Sequence, residues 1–159
     1  MPRIVIVDAG NYSRSPAAER FLRRAVTERG LDGTVEIVSG GLKDKHVGDT
    51  PDPRTMAFCR EQGLDLADFR CREIGTADFQ ADIILTMDNE NLEQVRARRP
   101  DGGRAAVMRY LDAAGMGGDV PDPYYGDDGA FDRTMAVIAD AADAIAARLA
   151  AGTDLTETA

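Results

Sequence analysis

The segment that most constrains the fold is R-I-V-I-V-D-A-G-N-Y-S-R-S-P at positions 3–16. The apolar, β-branched residues at positions 4–7 predict a strand that stops at Asp8. A short loop at positions 9–13 follows, and Ser15 before a proline is typical of a helix N-cap. A strand, a loop and a helix N-terminus in immediate succession can hold an anion, because backbone N–H groups and the helix dipole converge there.

Arg14 lies where this loop meets the predicted helix. Its planar guanidinium is suited to gripping two oxygens of a phosphate. Gly10 permits strained backbone angles, and Asn11 tolerates a left-handed turn. From these residues alone, a phosphate loop and an ordinary strand-to-helix turn with a surface arginine stay equally open.

The rest of the chain alternates between strand and helix patterns. Strands are predicted at 34–39, 81–87 and 105–108, and helices at 16–28, 53–62, 89–98 and 130–149. Such alternation implies right-handed crossovers and a parallel sheet that is covered on both faces. Ligands bind such sheets at the carboxyl ends of the strands, where Asp8 lies.

Length, charge and cysteine usage bound the class of protein. The 159 residues fit one domain, expected at 1–151 and followed by a short, polar, frayed tail at 152–159. A net charge of −9 argues against nucleic acid or an anionic membrane as partner. With no long apolar run and no signal peptide, we expect a cytoplasmic protein without a membrane span. Cys59 and Cys71 are expected to be buried and unpaired.

Two motifs stand in a defined order along the chain. A-G-N-Y-S-R-S-P-A-A-E occupies positions 9–19, and V-P-D-P-Y-Y-G occupies positions 120–126. H-V-G at 46–48 and D-P-R at 52–54 lie between them. Together they resemble the phosphate loop, the general-acid loop and the intervening segment of the low-molecular-weight protein tyrosine phosphatases, over positions 3–149. The resemblance implies a single α/β domain with a four-stranded parallel twisted sheet and helices on both faces.

The resemblance also implies a role for individual residues. The phosphate-binding loop would consist of Ala9, Gly10, Asn11, Tyr12, Ser13, Arg14 and Ser15. Arg14 would bind the phosphoryl oxygens, and Asp122 would protonate the leaving oxygen as general acid. The entrance for the substrate would be walled by Tyr12, Lys45, Tyr124 and Tyr125.

This chain departs from the family pattern at the nucleophile. The family has its catalytic cysteine where this chain has Asp8, and a second loop cysteine where it has Ser13. A carboxylate reaches further than a thiolate and is harder, better hydrated and less nucleophilic. We expect Asp8 to bond to Arg14 and to the N–H groups of the loop, so that phosphate must compete with it. Lys45 stands where many members carry an aromatic residue, and would attract an anionic group instead.

Two functions stay open from the sequence. The first is a hydrolase of the tyrosine phosphatase type that acts on a phosphorylated protein or a small phosphomonoester, with activity weakened or lost through Asp8. The second is an inactive pseudophosphatase that binds a phosphorylated partner or another anion. Neither needs a cofactor, and we expect a monomer or a weak dimer.

Other chemistry has weaker support. An aspartyl-phosphate route usually uses magnesium and several carboxylates. The spacing of the available aspartates matches no known metal loop, and they are Asp119, Asp122, Asp127 and Asp128. We therefore expect no metal site. His46 is the only histidine, and we expect it to bond to the backbone of its loop rather than to act in a triad.

Overall fold

The centre of the molecule is a parallel sheet. The computed structural model describes residues 1–157, except for the side chain of Tyr125. The four strands are β1 (Arg3–Asp8), β2 (Glu36–Gly41), β3 (Ile83–Thr86) and β4 (Ala106–Arg109). They lie in the order β2-β1-β3-β4, and every neighbouring pair is parallel. The predicted fold class, an α/β domain with a four-stranded parallel sheet, is confirmed.

Helices connect the strands and cover both faces of the sheet. They are α1 (Arg14–Glu28), α2 (Pro53–Glu61), α3 (Asn89–Arg98), α4 (Tyr110–Ala113) and α5 (Asp128–Ala150). Two short 3-10 turns, Thr76–Gln80 and Pro123–Tyr125, and the short α4 were not predicted. Within the described residues, no helix combines the length and the apolar character that a membrane crossing needs.

The alternation of side chains along β1 divides the core into two parts. Ile4 and Ile6 belong to the cluster that also contains the buried faces of α1 and α5. Val5 and Val7 belong to a second cluster on the opposite face, together with Val95 of α3. An apolar stripe along α5 is buried in the first cluster and includes Phe131, Met135, Ile138, Ala142 and Ile145. Because β1 is buried on both faces, its end is a rigid platform for the loop that follows.

The start of α1 differs from the prediction. The helix begins at Arg14, two residues before the predicted start at Pro16. Ser15 is therefore not the N-cap but lies in the first turn, where its N–H donates to Oδ2 of Asp8 at 2.9 Å. An N-cap residue is recognised in a sequence because its side chain accepts an N–H group two or three residues later. Here the N–H of Ser15 is accepted by Asp8, which lies seven residues earlier at the end of β1.

The order of the strands brings three acidic or loop-forming segments together at one edge of the sheet. Asp8 ends β1, opposite Gly41 at the end of β2. Asp88 follows β3, which is the other neighbour of β1. Asp8 and Asp88 thus both lie at the carboxyl ends of parallel strands, where the site is predicted.

The segment after α5 is tied to the body of the protein. The N–H of Thr153 donates to the carbonyl of Arg148 at 2.9 Å. Leu155 is 6% exposed and packs in the same core cluster as α1 and α5. The expectation of a frayed tail is wrong for residues 152–157, while residues 158 and 159 lie outside the described part of the chain.

We expect Leu155→Ala to lower the free energy of unfolding by about 2 kcal/mol, because it removes a buried side chain from the edge of the core. Urea denaturation measures the change. The matched control is Glu157→Ala, an exposed position in the same segment, which should change the stability by less than about 0.5 kcal/mol. Equal stabilities of the two variants would show that Leu155 is not docked in solution.

Candidate functional site

Asn11 fixes the loop at residues 9–13. Its φ is +54°, in the left-handed region that asparagine tolerates better than most residues. Its Nδ2 donates to Oγ of Ser15 at 2.8 Å and to Oγ of Ser39 at 3.0 Å. Its Oδ1 accepts the N–H of Arg72 at 2.9 Å. Asn11 is fully buried. Because hydrogen bonds are electrostatically stronger in the low dielectric of the interior, these bonds fix the conformation of the loop.

The loop also lies directly against the end of β2. A Cβ on Gly41 would stand 2.6 Å from the carbonyl carbon of Gly10 and 2.7 Å from the nitrogen of Asn11. Both contacts are with backbone, which cannot move aside as a flexible side chain does. Gly41 is therefore required because the backbone of the loop lies too close to β2 for any side chain at this position.

Asp8 lies at the base of the loop, and each of its carboxylate oxygens accepts one hydrogen bond from the backbone. Oδ1 accepts the N–H of Asn11 at 2.6 Å, and Oδ2 accepts the N–H of Ser15 at 2.9 Å. The residue is 3% exposed, so these bonds compensate for the lost hydration of a charged group. The expected bonds to loop N–H groups are present. The expected bond to Arg14 is not, because Arg14 binds other partners.

Arg14 is buried and is held by the segments that follow β3. Its Nη1 donates to Oδ2 of Asp88 and to the carbonyl of Val120, both at 2.8 Å. Its Nη2 lies 3.7 Å from Oδ2 of Asp122. With a side chain only 3% exposed, the guanidinium charge is balanced by neighbouring carboxylates rather than by water. Arg14 is thus positioned before any ligand arrives.

Asp122 lies on a loop that closes over the end of β3. The loop is anchored by the N–H of Val120, which donates to the carbonyl of Met87 at 2.7 Å. Asp122 itself caps the following 3-10 turn, with Oδ1 accepting the N–H of Tyr124 at 3.1 Å. Its side chain is 51% exposed. The loop thus brings an exposed carboxyl group next to Arg14.

These elements surround an open cavity of about 200 Å³. Its lining consists of Asp8, Ala9, Gly10, Tyr12, Ser13, Arg14, Lys43, Lys45, His46, Asp122 and Tyr124. Asn11 and Ser15, also predicted for the loop, do not line the cavity and instead support the loop from within the core. Tyr125 was predicted for the wall, and its side chain lies outside the described residues.

Two lining residues were missed from the sequence. Lys43 lies in a bend two positions before Lys45, which begins the turn at residues 45–48, and both lysines line the cavity. His46 stacks on Tyr12, with ring centroids 3.7 Å apart and planes 9° from parallel, and its Nδ1 lies 3.4 Å from Oδ2 of Asp49. The predicted bond from His46 to the backbone is wrong, since its partners are side chains.

Neither cysteine of the chain is a reactive thiolate. Cys59 and Cys71 are buried and unpaired, as predicted. Burial, and then the charges of Asp8 and Asp49, raise the pKa of the Cys71 thiol to about 11. Burial likewise raises the pKa of Cys59 to about 11. Both thiols are therefore protonated at neutral pH and inert as nucleophiles.

Two of the four aspartates considered for magnesium are engaged elsewhere. Asp119 accepts from Nη1 of Arg109 at 3.0 Å and from the N–H of Asn89 at 3.0 Å. Asp127 caps α5 by accepting the N–H of Ala130 at 2.7 Å. The described residues hold no group of three or more potential metal ligands.

A larger cavity of about 330 Å³ lies at the opposite end of the sheet. It is lined by Pro2, Ile4, Leu31, Thr34, Val35, Asp82, Ile83, Leu149, Thr153, Asp154, Leu155 and Thr156. Among the described residues this lining contains no arginine, lysine, histidine or cysteine. This cavity therefore lacks the cations that line the smaller cavity beside Asp8.

Comparison with known proteins agrees with the resemblance seen in the motifs. The family described as "Low molecular weight phosphotyrosine protein phosphatase" matches residues 3–154. A low molecular weight phosphotyrosine protein phosphatase of Schizosaccharomyces pombe is 37% identical over 128 residues, 78% of this chain and 81% of that protein. Low molecular weight protein-tyrosine phosphatase A of Mycobacterium tuberculosis is 32% identical over 137 residues, 85% and 83% of the two chains.

Solved structures give the same result for the fold. YfkJ from Bacillus subtilis superimposes with a TM-score of 0.87 at 28% identity, over 97% of this chain and 98% of that chain. A protein tyrosine phosphatase from Entamoeba histolytica, with Hepes in its active site, superimposes with a TM-score of 0.86 at 27% identity, over 96% and 99%.

We expect Gly41→Ala to destabilise the protein by about 2 kcal/mol, because the new methyl group overlaps the backbone of the loop and forces it to shift. Urea denaturation measures this loss. Gly75→Ala is the matched control, since a Cβ there meets nothing within 4 Å. The close-approach argument fails if both substitutions cost the same.

Proposed function

Because the chain belongs to the low molecular weight phosphotyrosine protein phosphatase family, we propose that its cavity binds the phosphoryl group of a phosphorylated protein or a small phosphomonoester. In this proposal Asp8 stands at the nucleophile position and makes hydrolysis far slower than a thiolate would. The protein then acts chiefly by binding phosphoryl groups, as a pseudophosphatase.

Three kinds of donor support the binding of a phosphoryl group. The backbone N–H groups of Gly10, Tyr12 and Ser13 donate to no acceptor within the described part of the chain. The N-terminus of α1 adds partial positive charge at the same place. Arg14 lines the cavity with a guanidinium already fixed in position. Converging amides, a helix dipole and an arginine are the elements of an anion site.

The observation that carries the proposal is the double hydrogen bonding of Asp8. Attack on phosphorus needs a lone pair of high nucleophilicity, and each Asp8 oxygen keeps one lone pair while it accepts one backbone N–H group. These bonds stabilise the anion and so weaken it as a nucleophile. Its charge also opposes a bound phosphate, by about 1 kcal/mol in water and about 4 kcal/mol at an effective dielectric of 20 for charges 4 Å apart.

One observation favours a second candidate, in which slow turnover persists. Asp122 lines the same cavity and lies 3.7 Å from Arg14, where a general acid is needed. In that reaction an Asp8 oxygen forms a bond to phosphorus while the bond to the leaving oxygen breaks. Asp122 gives its proton to the leaving oxygen, and water then cleaves the aspartyl phosphate to inorganic phosphate and restores Asp8.

We expect Asp8→Cys to raise the rate of p-nitrophenyl phosphate hydrolysis by about 100-fold or more, equivalent to about 3 kcal/mol of activation free energy. The physical reason is that the loop, Arg14 and Asp122 are already in place around the missing thiolate. Steady-state kinetics of both proteins measure the gain.

Two controls locate the cause of that gain. Asp8→Ser introduces a side chain that is similar in size to cysteine but does not ionise. It should give no increase in the rate of hydrolysis. Arg14→Ala in the Asp8→Cys background should remove the increase, because the phosphoryl group loses its main cation. If the unsubstituted chain already matches Asp8→Cys in rate, the proposed effect of Asp8 is wrong.

Trapping with hydroxylamine separates the two candidates. An aspartyl phosphate reacts with hydroxylamine to give a hydroxamate at position 8, which mass spectrometry of the digested protein detects. We expect no hydroxamate after incubation with p-nitrophenyl phosphate, in the unsubstituted chain or in the control Asp8→Asn. A hydroxamate that forms in the former and is absent from Asp8→Asn would replace the binding proposal with the slow phosphatase.

A further inference from the structure

Both lysines of the chain line the candidate cavity. The chain has 19 lysines and arginines, and only Lys43 and Lys45 are lysines. Both are exposed, and both lie on the rim that faces Arg14. The chain has a net charge of −9, whereas the cavity lining holds three cations, Arg14, Lys43 and Lys45, and two carboxylates, Asp8 and Asp122. Asp44, between the two lysines, is exposed and lies outside the lining.

The charge of this rim is not cancelled inside the cavity. The cavity contains two carboxylates, of which Asp8 is bonded to loop amides and Asp122 lies beside Arg14. Asp49, on the same segment as the lysines, lies against His46 and outside the cavity lining. Among the described residues, neither lysine takes part in an ion pair. Both ammonium groups are therefore available to an incoming anion.

The lysine segment is attached to the phosphate loop itself. The N–H of Leu42 donates to the carbonyl of Asp8 at 3.0 Å, and the N–H of Lys43 donates to the carbonyl of Ala9 at 2.9 Å. The stacking of His46 on Tyr12 joins the two segments again, beyond Lys45. The distance between the lysine rim and the loop is thereby set by the fold.

We propose that Lys43 and Lys45 form a second anion subsite beside the loop. The preferred ligand is then a phosphomonoester that carries another anionic group, a carboxylate or a second phosphate, close to its phosphoryl group. This inference rests on the proposed function, because the phosphoryl group must first occupy the loop. Lysine suits such a subsite, since its flexible point charge can follow an anion whose position varies from ligand to ligand.

The size of the cavity places the second group at its mouth. A volume of about 200 Å³ is below that of pockets that enclose whole small molecules. The phosphoryl group and an attached ring fill this space, and a further anion reaches the exposed lysines. Such an anion can belong to a small molecule or to an acidic residue beside a phosphorylated side chain.

The test compares two ligands that differ by one charge. Calorimetry gives the affinity of the protein for phenyl phosphate and for 4-carboxyphenyl phosphate. We expect the carboxylated ligand to bind about fivefold more tightly at low salt, because each exposed ion pair contributes modestly. The preference should shrink as salt is added. A second pair, phosphotyrosine peptides with glutamate or alanine neighbours, tells whether an acidic peptide gains the same preference.

Variants assign the preference to the lysines. Lys43→Gln combined with Lys45→Gln should bring the affinities for the two ligands of each pair to within about twofold of each other. Arg133→Gln is the matched control, because it removes one exposed positive charge that does not line the cavity. That control should keep the full preference.

The outcomes separate this inference from the proposed function. If phenyl phosphate does not bind, the proposed function fails, and the second subsite fails with it. If phenyl phosphate binds but the carboxylated ligand gains nothing, only the second subsite is overturned. The same holds if the preference survives the loss of both lysines. A preference confined to the small ligands assigns the subsite to small molecules, and one shared by the peptides assigns it to acidic phosphoproteins.

Discussion

The two hydrogen bonds that Asp8 accepts from its own loop join three parts of the molecule into one unit. They link the end of β1, the left-handed residue Asn11 and the first turn of α1 through Ser15. The Asp8 carboxylate accepts N–H groups that have no partner within the helix. It thus takes the place of an N-cap side chain or a bound anion. These hydrogen bonds fix the loop without any ligand, and they use the N–H groups of Asn11 and Ser15.

The two carboxylates around Arg14 are held with different strength, and this difference determines which of them a ligand can displace. Asp88 is held at 2.8 Å and also caps α3, so its loss would unmake a helix end as well as an ion pair. Asp122 is half exposed and lies at 3.7 Å. A phosphoryl oxygen that approaches Arg14 therefore competes with Asp122 far more easily than with Asp88. In the proposed function, Arg14 would thus link the binding of a phosphoryl group to the position of the loop that carries Asp122.

The parts of the structure that follow from local pattern were predictable. The apolar run before Asp8, the glycine and asparagine of the loop and the strand–helix alternation are enough to predict the parallel sheet and the edge at which the site lies. Contacts between distant segments were not predictable in this way. Arg14 donates a hydrogen bond to Asp88, which lies 74 positions later in the sequence. The ring of His46 stacks on Tyr12 because two loops converge. Both depend on tertiary geometry that no local window of sequence contains.

The position of the two lysines makes the cavity chemically addressable. Reagents that acylate amines act on lysine side chains and on the exposed amino group of Met1, and they leave the more basic guanidinium groups unmodified. In this chain the lysine amines available to them are those of Lys43 and Lys45, both on the cavity rim. A fluorophore attached there would stand over the phosphate loop, held by the backbone bonds that tie the lysine segment to it. The sequence thus contains its own attachment point for a reporter of ligand binding.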